Sequence, residues 1–240
     1  MIPILLRQLR WRIAALALAG FFFYLFDPAL HEHPAESPGD VAELLEPFGI
    51  SFTIANLATV GMVALLAGFI ATDRRRGYYR LAFSHPTRPL AFYGLRWLLS
   101  LALAMLAAAF FWLFAQLAAW GEVQVGPSFL LQALLLAVVY GGLTAFFSAL
   151  VPRGDGILAV ILFFLTDLWL SLVQASPVLP FTPGVRAAIS FILPPHSAVS
   201  DVYNSLLSGG VAWSAAAFAL GYGLFWLVLA GLLVKYREWP

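Results

Sequence analysis

The chain has 240 residues, of which 62% are hydrophobic and 10% are charged, with a formal net charge of +1 and a mean hydropathy of +0.90. A soluble domain carries about 25% charged residues, so this composition excludes a soluble globule and predicts an integral membrane protein. The chain has no cysteine, which excludes a disulfide scaffold, thiolate metal sites and a cysteine nucleophile.

Six apolar segments approach or exceed the length of about 20 residues that a helix needs to cross a bilayer. They lie at residues 11–26, 51–72, 97–120, 129–151, 157–175 and 211–234. Their apolar runs are continuous rather than alternating, which argues against a membrane β-barrel. Lipid offers the backbone no hydrogen-bond partners, so the segments predict an all-α membrane protein, with six spans in a single transmembrane domain over residues 1–240.

The first segment begins with basic residues, as a signal peptide does, but no small-residue cleavage motif follows, and we expect a retained span. The next stretch, residues 27–50, is acidic and rich in proline, and we expect a short surface helix over residues 37–45. It also contains His31, Glu32, His33 and Glu36, which are side chains of metal-ligand type. Their spacing is unspecific, so we expect a solvated loop and no metal site.

Polar and small side chains recur along the second span. Thr53, Asn56 and Thr59 lie near one helix face. This stripe faces either a substrate path or dimer axis, or a neighbouring helix to which it hydrogen-bonds. Gly61, Ala64 and Gly68 follow as a predicted packing face. Similar faces are predicted in span four and span six, with the residues Gly141, Gly142, Ala145, Ser148 and Ala149 in the former and Ala217 and Gly221 in the latter.

The loop at residues 73–96 is longer than orientation alone requires. We expect a surface helix over residues 73–83, stopped by Ser84 and Pro86, and a new helix that begins at Pro89. Arg74, Arg75, Arg76 and Arg80 are either ordinary cytoplasmic charge or a binding surface for lipid phosphates or an acidic partner.

Asp167 lies near the middle of span five, four residues after Phe163. A carboxylate at this depth is costly and indicates a protonated side chain, a hydrogen bond to a neighbouring helix, or a role in a pathway or dimer interface. The cores of the spans contain no basic residue, so we expect no ion pair with Asp167.

The stretch at residues 176–210 is apolar but broken by five prolines. It predicts two short re-entrant helices, at residues 183–193 and 197–207, that dip into the outer leaflet. His85 and His196 lie beside prolines and are interpreted as turn or capping residues. All of the 13 basic residues except Arg186 lie on the side of the termini, so the positive-inside rule places both termini in the cytoplasm.

Two motifs carry a family resemblance. The first is Asp73-Arg74-Arg75-Arg76-Gly77 followed by Leu81-Ala82-Phe83-Ser84-His85-Pro86-Thr87-Arg88. The second lies before the last span and runs from Leu193-Pro194-Pro195-His196 to Leu206-Leu207-Ser208-Gly209. With the six spans, they make the chain resemble the transmembrane permease subunits of ABC-2 type transporters.

The resemblance implies that the loop after span two is a coupling helix seated in a groove of a separate ATPase subunit. The residues implied in coupling are Asp73, Arg74, Arg75, Arg76, Gly77, Arg80, Leu81, Phe83, Ser84, Pro86 and Arg88. Spans two and five would line the path of a permease dimer through Thr53, Asn56, Thr59, Phe163 and Asp167. Pro194, Pro195 and His196 would belong to an outer gate.

ATP and Mg would belong to the ATPase, because the only lysine, Lys235, does not lie in a P-loop motif. We therefore expect a non-enzymatic exporter subunit in the bacterial cytoplasmic (inner) membrane, without a cofactor of its own. Its expected partners are the ATPase, a second permease copy or paralogue and membrane lipid, but not nucleic acid. The alternative is a non-transporting module that transmits ATPase strokes to a periplasmic protein. An intramembrane enzyme is the least favoured hypothesis.

Overall fold

A computed structural model describes residues 2–26, 47–77, 88–175 and 182–236. Within these ranges the regular structure is helical, and a 3-10 turn at Pro127–Phe129 precedes the fifth helix. The helices are α1 (Ile2–Phe26), α2 (Pro47–Leu66), α3 (Ala71–Arg76), α4 (Pro89–Trp120), α5 (Leu130–Leu150), α6 (Asp155–Ala175), α7 (Pro183–Ile192), α8 (His196–Leu207) and α9 (Trp213–Tyr236). The predicted all-α class is confirmed.

Five stretches in the described part of the chain are long and apolar enough to cross a membrane. They are Gly49–Arg76, Pro89–Ala118, Pro127–Leu150, Asp155–Val173 and Trp213–Tyr236. The helix α1 has 25 residues, but Arg7, Arg10 and Arg12 lie in its first half and leave a short uncharged run. The chain thus has the long apolar helices of a multi-pass membrane protein, and a sixth span through α1 stays a prediction.

The second predicted span, residues 51–72, lies within the apolar stretch Gly49–Arg76, but its helix is interrupted. Helix α2 stops at Leu66, and a turn follows in which Gly68 has a φ of +71°. An L side chain rarely adopts this left-handed conformation. Gly68 is therefore a turn residue, and its assignment to a helical packing face is wrong.

The predicted helix over residues 73–83 is also shorter than expected. Helix α3 spans Ala71–Arg76 and ends at Gly77, whose φ of 68° closes the helix in the left-handed conformation. Helix α4 begins at Pro89 as predicted. Of the expected coupling residues, Arg80, Leu81, Phe83, Ser84 and Pro86 lie outside the described residues.

The two short helices before the last span are confirmed, and their re-entrant placement stays a prediction. Helix α7 begins where Thr182 Oγ1 accepts the Val185 N–H at 3.4 Å, with Pro183 at its first position. The helix predicted from residue 197 begins one residue earlier, at His196. The predicted acidic loop up to residue 46, with its surface helix at 37–45 and its histidines, lies outside the described residues.

The chain divides into two compact units, one formed by Met1–Leu65 and Leu98–Ala137 and the other by Leu66–Trp97 and Val138–Pro240. The boundaries fall inside helices, and the single transmembrane domain stays a prediction. In the first unit Arg12 Nη1 donates to the carbonyl oxygen of Leu65 at 2.8 Å, near the end of α2. Ser51 Oγ donates to Gln132 Oε1 at 2.5 Å between α2 and α5.

Small residues do form packing faces, although partly at other positions than predicted. In the first unit a Cβ at Gly61 would lie 2.8 Å from Leu16 Cδ1 of α1. In the second unit a Cβ at Gly142 would overlap the carbonyl oxygen of Gly223, so α5 and α9 approach with their backbones. Gly221, the predicted contact, has open space around it, and the helix crossing lies at Gly223 instead.

Candidate functional site

The turn between α2 and α3 is held by side chains from α5 and α6. The Gly68 N–H donates to Asp155 Oδ2 at 2.5 Å, and Asp155 is buried. The N–H groups of Ile70 and Ala71 both donate to Ser148 Oγ at 3.1 Å. The first N–H groups of a helix have no partner within it. Ser148 therefore acts as an N-terminal cap for α3 supplied by another helix, and it fixes the start of α3 to α5.

Two residues of α3 point into the protein. Arg74 Nη1 donates to the carbonyl oxygen of Ala149 at 2.8 Å. Asp73 Oδ2 accepts the Tyr93 hydroxyl at 3.4 Å. Arg75 and Arg76 are exposed. Among these predicted coupling residues, Asp73 and Arg74 thus anchor α3, and Arg75 and Arg76 lie on its exposed surface.

Arg96 also holds α3, although the sequence predicts it only as one of the cytoplasmic basic residues. It lies in α4, is 7% exposed and forms an ion pair with Asp73 at 3.5 Å. Its Nη1 also donates to the Phe69 carbonyl oxygen at 3.3 Å, and its guanidinium lies 5.7 Å from the centre of the Phe69 ring. We refer to Asp73, Arg74, Arg96, Ser148 and Asp155 as the α3 anchor.

A second polar cluster joins three helices of the same unit. His196, the first residue of α8, has Nδ1 2.8 Å from Asp167 Oδ1 of α6. Its Nε2 lies 2.7 Å from the Tyr140 hydroxyl of α5. We refer to Tyr140, Asp167 and His196 as the Asp167 cluster. His196 is thus more than a turn or capping residue, because the fold brings it to Asp167, and this contact is an ion pair only when the imidazole is protonated.

The hydrogen-bonding capacities of the three groups fix a consistent proton arrangement. An ionised carboxylate only accepts hydrogen bonds, so we assign the proton of the imidazole to Nδ1, which donates to Asp167. Nε2 then accepts the Tyr140 O–H. In this arrangement the two ring nitrogens of His196 link Asp167 to Tyr140 through two hydrogen bonds.

Several other predicted residues surround this cluster. The Phe163 ring lies 5.4 Å from the Tyr140 ring and 5.3 Å from the His196 ring. Pro194 and Pro195 are buried and separate α7 from α8. The structure thus brings the predicted gate residues together with Phe163 and Asp167 of the predicted path.

Two further hydrogen bonds hold α7. The Trp169 Nε1–H of α6 donates to Ser190 Oγ at 3.1 Å. The Tyr222 hydroxyl of α9 donates to the carbonyl oxygen of Ile192 at 2.7 Å. Side-chain hydrogen bonds therefore hold both ends of the linker in the α7–α8 hairpin, at Ile192 to α9 and at His196 to α5 and α6.

The polar stripe of α2 lies in the other unit. Thr53 and Thr59 are buried, and Thr59 Oγ1 donates to the Ala55 carbonyl oxygen within its own helix at 2.8 Å. Asn56 is half-buried. A substrate path formed by these residues with Phe163 and Asp167 stays a prediction.

Helix α5 links the two clusters of the second unit. Tyr140, Thr144 and Ser148 recur every four residues and therefore lie on one helix face. All three are fully buried. At 1.5 Å per residue, about 12 Å of helix separates Tyr140 from Ser148. This spacing is visible in the sequence, where span four is predicted only to have a packing face of small residues.

No group of three or more histidine, aspartate or glutamate side chains suited to a metal ion is found among the described residues. The described polar side chains form two hydrogen-bonded clusters, the α3 anchor and the Asp167 cluster. Comparison of the chain with models of protein families, with curated proteins and with solved structures finds no match.

Proposed function

We propose that the chain is the membrane-spanning permease subunit of an ATP-driven ABC-2 type exporter that works with a separate ATPase subunit. In this proposal α1 is a sixth span, α3 is the coupling helix and the α7–α8 hairpin is the outer gate. One observation carries it most. The same buried face of α5 caps the start of α3 through Ser148 and bonds the start of α8 through Tyr140.

The α3 anchor suits a helix that receives force. Because Ser148 holds its first N–H groups and Arg74 holds the end of α5, a displacement of α3 moves α5 rather than only the connecting turn. The Asp73–Arg96 ion pair gives α4 the same attachment. Closure of an ATPase dimer beneath α3 would thus shift both helices.

The hydrogen bond between Tyr140 of α5 and His196 lies at the proposed gate. A shift of α5 along its axis changes the geometry of the Tyr140–His196 hydrogen bond, which weakens steeply as the bond loses alignment. The hairpin would then be held less firmly to α5. ATP-driven movement at α3 would in this way favour opening on the opposite side of the membrane.

The exposed arginines supply the docking surface in this proposal. Arg75, Arg76 and Arg88 are exposed in or near the segment that joins α3 to α4. An acidic groove on the ATPase would complement them. Both termini would lie on the same cytoplasmic side of the bacterial inner membrane, and a second permease copy or paralogue would complete the path.

Co-purification with an ABC ATPase from the source organism tests this assignment. Replacement of Arg75 and Arg76 together by alanine is expected to reduce recovery of the ATPase at least tenfold. The matched control replaces Arg7 and Arg10, two exposed arginines of α1 that lie on the same predicted side. Equal recovery with both double variants, or no recovery with the unmodified chain, would contradict the proposal.

The transporting role needs a second measurement, because a module that only transmits force to a periplasmic protein would also bind an ATPase. In nanodiscs that contain the assembled complex, an exporter is expected to hydrolyse ATP faster when its substrate is added and to accumulate that substrate on one side of vesicles. ATP hydrolysis with no substrate movement would favour the force-transmitting module.

A further inference from the structure

Asp167 is held in one orientation while much of it remains accessible. Its side chain is 44% exposed, whereas that of His196 is 10% exposed. His196 contacts only Oδ1, and no other side chain in the described ranges pairs with this carboxylate. A carboxylate within a long apolar helix is costly without a partner. The fold therefore presents an oriented anionic group that has capacity for a further partner.

The surface around Asp167 is aromatic and apolar. Phe164 lies three residues earlier on α6, which places it beside Asp167 on the helix surface, and it is 65% exposed. Leu168, the next residue, is 55% exposed. An exposed aromatic ring beside a carboxylate provides two favourable contacts for a cation, one with the charge and one with the face of the ring.

The charge of the cluster selects the sign of the ligand. We take the arrangement in which Asp167 is ionised and the donor hydrogens come from His196 Nδ1 and the Tyr140 hydroxyl. A cluster with this single negative charge repels an anion and gives a neutral molecule little gain. Phe164 and Leu168 favour a ligand whose charge is attached to an apolar body. These requirements together describe a hydrophobic cation.

We propose that Asp167 and Phe164 form a binding site for the cationic group of a hydrophobic ligand, with His196 as a positioning residue for the carboxylate. As the substrate class of an exporter this inference rests on the proposed function, but binding itself requires neither ATP nor an ATPase. The two proposals can therefore fail separately.

Equilibrium binding of tetraphenylphosphonium to the full chain in nanodiscs tests the site. Tetraphenylborate has nearly the same size and shape with the opposite charge and is the matched probe. The unmodified chain is expected to bind the cation at least tenfold more tightly than Asp167→Asn, and to show no Asp167-dependent binding of the anion. Asp167→Asn keeps an oxygen that accepts the His196 N–H, so the fold is expected to persist.

Asp201→Asn is the control for loss of a carboxylate, because Asp201 is exposed on α8. It is expected to bind the cation as the unmodified chain does. Phe164→Leu keeps an apolar side chain without the ring and is expected to weaken binding about threefold.

The positioning role of His196 has its own readout. His196→Ala is expected to weaken cation binding, and His196→Gln, whose amide still donates a hydrogen bond, is expected to recover part of it. Equal binding of the cation by the unmodified chain and Asp167→Asn overturns the site. Asp167-dependent binding in a chain that recruits no ATPase would keep the site and contradict the exporter.

Discussion

At the scale of single residues, each polar cluster depends on a side chain that bonds in two directions. His196 joins Asp167 and Tyr140 through its two ring nitrogens. Ser148 accepts two N–H groups of α3 through one oxygen. Buried groups that lose a partner cost more than the net value of the hydrogen bond itself. Single-atom changes at Ser148 and at Tyr140, the partner of His196, are therefore informative.

Ser148→Ala is expected to destabilise the protein by about 2 kcal/mol, because the buried N–H groups of Ile70 and Ala71 lose their acceptor. Ser200→Ala is the matched control, since Ser200 is exposed and its hydroxyl bonds only to its own helix. Unfolding followed by tryptophan fluorescence in detergent measures both variants. Equal stability of the two would show that Ser148 does not cap α3.

Tyr140→Phe removes one oxygen and keeps the ring against Phe163. His196 then loses the donor to Nε2, and we expect a loss of about 1 kcal/mol in the free energy of unfolding. Tyr236→Phe, at a tyrosine that is 71% exposed, is expected to have no measurable effect. The same unfolding assay compares them, and an unchanged Tyr140→Phe variant would argue against the hydrogen bond to His196.

At the scale of elements, α5 is the helix on which the second unit is organised. One face of α5 carries Tyr140, Thr144 and Ser148. Tyr140 and Ser148 hydrogen-bond to polar groups outside α5. Another part of its surface meets α9 at Gly142 and Gly223. Close backbone approach between apolar helices needs glycine, since lipid provides no hydrophobic drive and packing must supply the attraction.

Gly142→Ala is expected to destabilise the protein by about 1–3 kcal/mol, because the new methyl group overlaps the backbone of Gly223 and forces the helices apart. Gly221→Ala provides the control on α9, where a Cβ has open space. Alanine favours a helix over glycine, so this variant is expected to be neutral or slightly more stable. Unfolding midpoints in detergent test both, and a stable Gly142→Ala variant would contradict the close crossing.

At the scale of the whole molecule, five stretches of the described residues are long and apolar enough to cross a membrane, and the positive-inside rule predicts their direction. The turn at residues 121–126, between α4 and α5, contains the exposed Glu122. The turn after α3 follows the exposed Arg75. Because one long helix, α4, separates these two positions, they should lie on opposite sides of the membrane.

The absence of native cysteine makes this topology directly measurable. Single substitutions Arg75→Cys, Glu122→Cys and Ile2→Cys are to be treated with an impermeant maleimide outside intact cells. We expect labelling at position 122 and protection at positions 75 and 2 until the membrane is permeabilised. Labelling of positions 75 and 122 from the same side would exclude the span through α4, and labelling of position 2 from outside would place the N-terminus outside the cell.

The sequence by itself determined the elements whose physics is local. Apolar length predicts the membrane-crossing helices, because each helix satisfies its own backbone in lipid. Prolines predict α7 and α8 to within a residue or two. Asp167 could be singled out for the same reason, since a carboxylate in an apolar run is unusual wherever the helix packs.

Only the tertiary structure decided which polar groups meet. Asp167 and His196 are 29 residues apart, and Ser148 lies 77 residues from the N–H of Ala71 that it caps. The end of α2 at Leu66 depends on the same long-range bonds, since Asp155 from α6 holds the Gly68 N–H in the turn. Apolar sequence repeats along every long helix and cannot specify such pairs. Their choice depends on the register in which α5, α6 and α8 pack.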